Sequence, residues 1–147
     1  MLATDSVAGS DGPPLAFKID ELTVRVQRQS GHGMPLQRLV IAGSGQATIE
    51  RGAHAISFPY SRAELLAAVN ELYRMRFFAY PERLHPRQSI FLRDDGTVGT
   101  QILRMSDATT TTACFALPAY EKCVEYQSDG PRELEDLVQK LFADAAR

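Results

Sequence analysis

The stretch FPYSRAELLAAVNELYRMRFF, residues 58–78, constrains the fold more than any other part of the chain. Ser61 followed three positions later by Glu64 is the pattern of a capping box, in which each side chain satisfies a backbone N–H that the first helical turn leaves unpaired. The helix is therefore expected to start at about Arg62, with Tyr60 and Leu65 placed for a hydrophobic staple across its entry. Leu65, Val69, Leu72, Tyr73 and Phe77 recur at helical spacing, Leu66 widens the stripe, and Arg62, Asn70 and Arg74 lie on the other side. Such a helix needs an apolar surface to cover, and the protein's own sheet is the ordinary one.

The segments around it read as that sheet. Over residues 18–29, Ile19, Leu22, Val24 and Val26 alternate with Thr23, Arg25 and Gln27, the period of a half-buried strand. SGHGMP breaks the pattern, LQRLVIA (36–42) is a second strand, and Gly43-Ser44-Gly45 is a hairpin connection whose glycines allow positive φ. Residues 46–51 return as a third strand, and AISF (55–58) makes a short fourth. Beyond the helix, YPERLHPRQ is a loop, because Pro81 and Pro86 each disfavour helix at the residue before. Strands follow over 89–93 and 97–105, joined by the Asp94-Asp95-Gly96 turn, then over 108–117 and 120–127.

Gly130 and Pro131 open a second helix, with Ser128 or Asp129 as its cap. Its stripe, Leu134, Leu137, Val138, Leu141 and Phe142, follows helical spacing without an error. Strands followed by one capped helix thus occur twice, which hints at an internal pseudo-repeat. The expected fold class is α+β: an antiparallel β-sheet of six to eight strands with the two amphipathic helices packed on one face. A chain of 147 residues, 44% hydrophobic and 23% charged, has the size and composition of one globular domain. That domain is expected over 18–147, after a Gly-, Ser- and Pro-rich flexible segment at 1–17.

A formal net charge of −2 lacks the basic footprint that phosphate binding requires, so no nucleic-acid partner is expected. No apolar run approaches the roughly 18–20 residues of a membrane span. MLATDSVAGSDGPPLA has neither a basic start nor a long apolar segment, so the chain as written is expected in the cytoplasm, or in the periplasm if an export signal was removed.

The residues that carry chemistry are scattered. His32, His54 and His85 do not fall at ligand spacing and read as loop residues, so no metal site is expected. Gly31-His32-Gly33 and Gly43-Ser44-Gly45 sit between strands, where turn chemistry outweighs phosphate binding. Asp94-Asp95 lacks the remaining ligands of a calcium loop. No catalytic residue and no cofactor is expected. Cys114 and Cys123 lie on neighbouring strands: if 116 faces 121 then 114 faces 123, which brings the side chains together as a disulfide or as a reduced, packed pair. Arg74, Arg76, Arg83 and Arg87 gather at the end of the first helix, either as contacts for an anionic partner or as complements to the helix C-terminus.

The segment RQSGHGMPLQRLVIAGSGQATIER (28–51) resembles the opening of a small bacterial domain family of unknown function, often found in exported or lipid-anchored proteins. That pattern runs Arg, a few residues, G-x-C-P, a strand, a glycine hairpin and a second strand. The resemblance continues through the Ser-capped helix ending at Phe77-Phe78 to the helix opened by Gly130-Pro131, covering about residues 22–142. Met34 stands where the family usually has cysteine before Pro35, so a thiol role there is absent. The family has no established activity, and the resemblance implies the fold alone.

The expected function is therefore a non-enzymatic binding or protein-interaction module, using the open sheet face or an edge strand to hold a peptide, a protein or a second copy of itself. The alternative is a small-molecule-binding or catalytic domain with a pocket between sheet and first helix, lined by Tyr73, Phe77 and Tyr80.

Overall fold

The computed structural model describes residues 12–30, 36–84, 87–103, 109–127 and 130–146, without the side chains of 87–89 and 100–103. The strands are β1 (Thr23–Gln29), β2 (Gln37–Ala42), β3 (Gln46–Arg51), β4 (His54–Pro59), β5 (Arg83–Leu84), β6 (Arg87–Leu92), β7 (Val98–Leu103), β8 (Thr110–Leu117) and β9 (Tyr120–Tyr126). The helices are α1 (Arg62–Arg74) and α2 (Arg132–Ala145). Seven strands form the main sheet in the order β4-β3-β2-β1-β8-β9-β5, and β6 and β7 form a second, two-stranded sheet. All described pairs are antiparallel except β5 against β9, which is parallel. The α+β class is as the sequence predicts, but the strands divide between two sheets.

Alternation assigns the two faces of the main sheet. Val24 and Val26, Leu39 and Ile41, Ala47 and Ile49, Ala113 and Phe115, and Val124 and Tyr126 are buried on one side. Both helices lie over that side, burying Leu65, Ala68, Val69 and Leu72 from α1 and Leu134, Leu137, Val138 and Leu141 from α2 in the same core. A leucine enclosed like Leu134 contributes about 1.5–3 kcal/mol. The Ser61–Glu64 capping box is present in both directions, at 3.1 Å and 3.0 Å.

Five local readings change. Ile19–Glu21, expected within the first strand, form a 3-10 turn, and β1 begins only at Thr23. The first helix ends at Arg74, short of the Phe pair, because Arg76 adopts the left-handed conformation at φ 59° and turns Phe77–Ala79 into a short 3-10 segment. Leu66 remains exposed, so the buried stripe of α1 is narrower than its sequence suggests. Arg83 and Leu84, expected in a loop, form β5 by pairing with Glu125 and Tyr126. The 43–45 turn uses its glycines differently: Gly45 takes φ 105°, whereas Gly43 lets the Ile19 carbonyl approach where a Cβ would stand. The halves are also unequal, since a four-strand meander precedes α1 while the main-sheet strands between α1 and α2 are the two-residue β5 and the β8–β9 hairpin. The expected caps Ser128 and Asp129 lie outside the described residues, and Pro131 occupies the N-cap position in extended conformation.

Candidate interaction surfaces

The uncovered face of the main sheet is a grid set by register. One row runs Ser57, Thr48, Val40, Arg25, Cys114, Cys123 across six strands, and the next runs Glu50, Arg38, Gln27, Thr112, Glu125 across five. A shallow depression of about 380 Å³ lies over Arg25, Gln27, Arg38, Val40, Thr112 and Cys114. Its charges are largely matched inside the face: Arg25 pairs with Glu121, Arg38 sits 3.7 Å from Glu50 and 3.4 Å from Gln27, and Thr48 meets Ser57 at 3.2 Å. Such a surface is already complete as a hydrated sheet face.

Cys114 and Cys123 lie directly opposite each other, with Cα atoms 4.1 Å apart and their sulfurs joined as a disulfide. Glu121, two residues earlier on β9, projects from the same face and brings Oε2 to 3.7 Å from the Cys123 Sγ. No local motif announces this group, because Arg25 is 96 residues from its Glu121 partner.

The four candidate arginines differ in their surroundings. Arg74 is held by Glu71, and Glu71 and Glu133 hold its guanidinium above its ordinary pKa, so acidic neighbours already match its charge. Arg76 is exposed on the left-handed turn, Arg83 is exposed on β5, and Arg87 begins β6 with its side chain outside the description. His54 is exposed on β4, while His32 and His85 lie outside the described residues.

Among the described residues, Tyr73 and Phe77 line different cavities. Phe77 is fully buried, and the space among Val24, Val26, Ala68, Leu72 and Phe77 amounts to about 10 Å³, no more than room for a single water. The aromatic rings instead pack on one another: Phe78 lies 4.9 Å from both Tyr73 and Phe115, and Phe77 lies 6.2 Å from Tyr80. Burial raises the phenol pKa of Tyr73 and Tyr80. Tyr73 faces outward into a separate groove of about 720 Å³ between α1 and residues 15–17, lined by Leu15, Phe17, Leu66, Val69 and Asn70.

At the other end of the core, a polar cluster went unseen in the sequence. Arg28 bonds Thr111 at 3.1 Å and Glu135 at 2.8 Å, and Tyr126 donates to the same Glu135 oxygen at 2.8 Å. Burial works to raise the Glu135 pKa, but bonds from Tyr126, Gln139 and Arg28 outweigh it and hold the carboxyl below its usual range. Burial, followed by the bond to Glu135, pushes the Tyr126 phenol up.

The β6–β7 hairpin differs in kind from these surfaces. Ile90 and Leu92 are each 74% exposed and Val98 is 62% exposed. Ile90 and Leu92 share a face by alternation, and Leu92 stands opposite Val98. The turn is well made, with Asp95 accepting from the Thr97 backbone at 3.0 Å and from its hydroxyl at 2.7 Å. Phe91 points to the other face, with the Arg93 guanidinium 5.5 Å from its ring centre.

No family model, no curated protein and no solved structure matches the chain. Among the described residues, no helix is long and apolar enough to cross a membrane.

Proposed function

We propose that the protein is a non-enzymatic binding module that holds an extended segment of a protein partner against the free edge of the β6–β7 hairpin. The observation that carries this reading is the exposed strip Ile90, Leu92 and Val98 on a two-stranded ribbon that pairs with no other described strand. An isolated hairpin is marginal in water, and its unpaired backbone groups accept a further strand readily. A partner strand would satisfy that edge, while its alternate apolar side chains would cover the strip. The open face of the main sheet is a weaker candidate because its charges are matched internally.

Selection of a displayed random-peptide library on the immobilised protein tests this. The expected product is a set of peptides with alternating apolar residues that bind the wild type and lose at least tenfold in affinity for the Ile90→Lys, Leu92→Lys double variant. No enrichment, or equal binding to the variant, would remove the hairpin from the reading. A second reading, binding of a small apolar molecule, rests on the outer groove beside Tyr73, whose volume of about 720 Å³ falls in the range of ligand sites. Its check is a thermal-shift screen, in which stabilising hits that Leu66→Glu abolishes would support it.

A further inference from the structure

We propose that the Cys114–Cys123 pair, when reduced, forms with Glu121 a binding site for a thiophilic divalent cation such as zinc. The two cysteines face each other across β8 and β9, Glu121 lies on the same sheet face, and the ligand atoms of all three lie within 4.8 Å of one another. A tetrahedral zinc ion needs sulfur ligands at about 2.3 Å and a carboxylate oxygen at about 2.0–2.2 Å, so rotation of three side chains already on one face brings them into range. Two paired strands, whose Cα atoms are 4.1 Å apart at this point, hold the cysteines without a chelating loop. The open sheet face leaves the fourth position to water, as in three-ligand zinc sites.

The charges also agree. Two thiolates, the Glu121 carboxylate, the Arg25 guanidinium bonded to it and a dication sum to zero. Arg25 stands next to Cys114 in register, and its bond to Glu121 orients that carboxylate from behind. Cys114 is 7% exposed and Cys123 is partly exposed, which leaves the metal one side of approach.

The site is exclusive with the disulfide. A dithiol reductant delivers two electrons and two protons, cleaving the S–S bond to two thiols while the reductant closes its own disulfide. Cation binding then releases both thiol protons as two sulfur–metal bonds form. No zinc-motif spacing announces the site, because Cys114, Glu121 and Cys123 follow none of the usual ligand patterns and include no histidine.

Cobalt(II) titration of the full chain, reduced and then freed of reductant under inert gas, provides the test. The expected result is a near-ultraviolet sulfur-to-cobalt charge-transfer band that saturates at one equivalent, is displaced by zinc, and is absent from the oxidised protein. Cys114→Ser and Cys123→Ser should each abolish it. Glu121→Gln should weaken binding by more than about tenfold, the lower end of what loss of an outer-shell partner costs. The proposal fails if reduced wild type shows no such band, if the band persists in either serine variant, or if Glu121→Gln leaves affinity unchanged. The wild-type titration is decisive even if a variant does not fold.

Discussion

Glu135 shows how one residue can tie together distant parts of the chain. Its Oε1 takes bonds from Arg28 on β1 and Tyr126 on β9, while Oε2 takes one from Gln139 a turn further along α2. Glu135→Gln would remove the charge that Arg28 is paired with and leave a half-buried guanidinium. We expect a loss of about 1–2 kcal/mol, the value of a charged hydrogen bond reduced for partial exposure, measured by urea unfolding at neutral pH. The folded carboxyl titrates below its unfolded value, so its stabilising contribution is present above an unfolded pKa of about 4.3 and disappears as pH falls through the lower folded value. Wild type and Glu135→Gln should therefore converge in stability on the acid side, and a gap that stays constant down to strongly acid pH would contradict this account. The raised Tyr126 phenol acts in the opposite direction, its contribution being lost as pH rises above about 10.

Among elements, α1 contains both a well-satisfied end and a strained one. Ser61→Ala removes the acceptor for the Glu64 N–H and half of the box, and should cost about 1 kcal/mol. Arg76 holds a left-handed conformation that glycine adopts without a Cβ penalty, so Arg76→Gly should stabilise the protein by about 0.5–1 kcal/mol. Thermal unfolding of the two variants should shift in opposite directions, and a destabilised Arg76→Gly would show that the arginine side chain makes a contribution larger than its backbone strain. The cap was legible because its two residues are three apart. The stop at Arg76 was not, because Leu72, Tyr73 and Phe77 keep helical spacing through it.

Across the described residues, both helices cover one face of the main sheet, while the hairpin exposes the apolar side chains of Ile90, Leu92 and Val98. Local stability follows the surface that each part buries, so amide hydrogen exchange should be far slower in β1, β2 and β8 than in β6 and β7. Addition of a selected peptide should slow exchange in the hairpin alone. Uniform protection of both sheets in the free protein would mean that the hairpin is covered without a partner. The same contrast separates the candidate surfaces: Ile90 and Leu92 are exposed on the hairpin, whereas the charges around Arg25 and Glu121 are matched within the sheet face.

The amino-acid sequence by itself determined most of the elements, since caps, turn glycines and periods of two and 3.6 are interactions among residues a few positions apart. It also placed Cys114 opposite Cys123 on the condition that 116 faces 121, the register that the turn between β8 and β9 sets. Only the tertiary structure decided that β8 inserts beside β1, that β5 forms at all, that β6 and β7 stand apart from the main sheet, and that Arg25 meets Glu121. Alternation reads the same in a strand at the centre of a sheet and in one facing solvent. Which it becomes depends on pairing and burial between residues far apart in the chain.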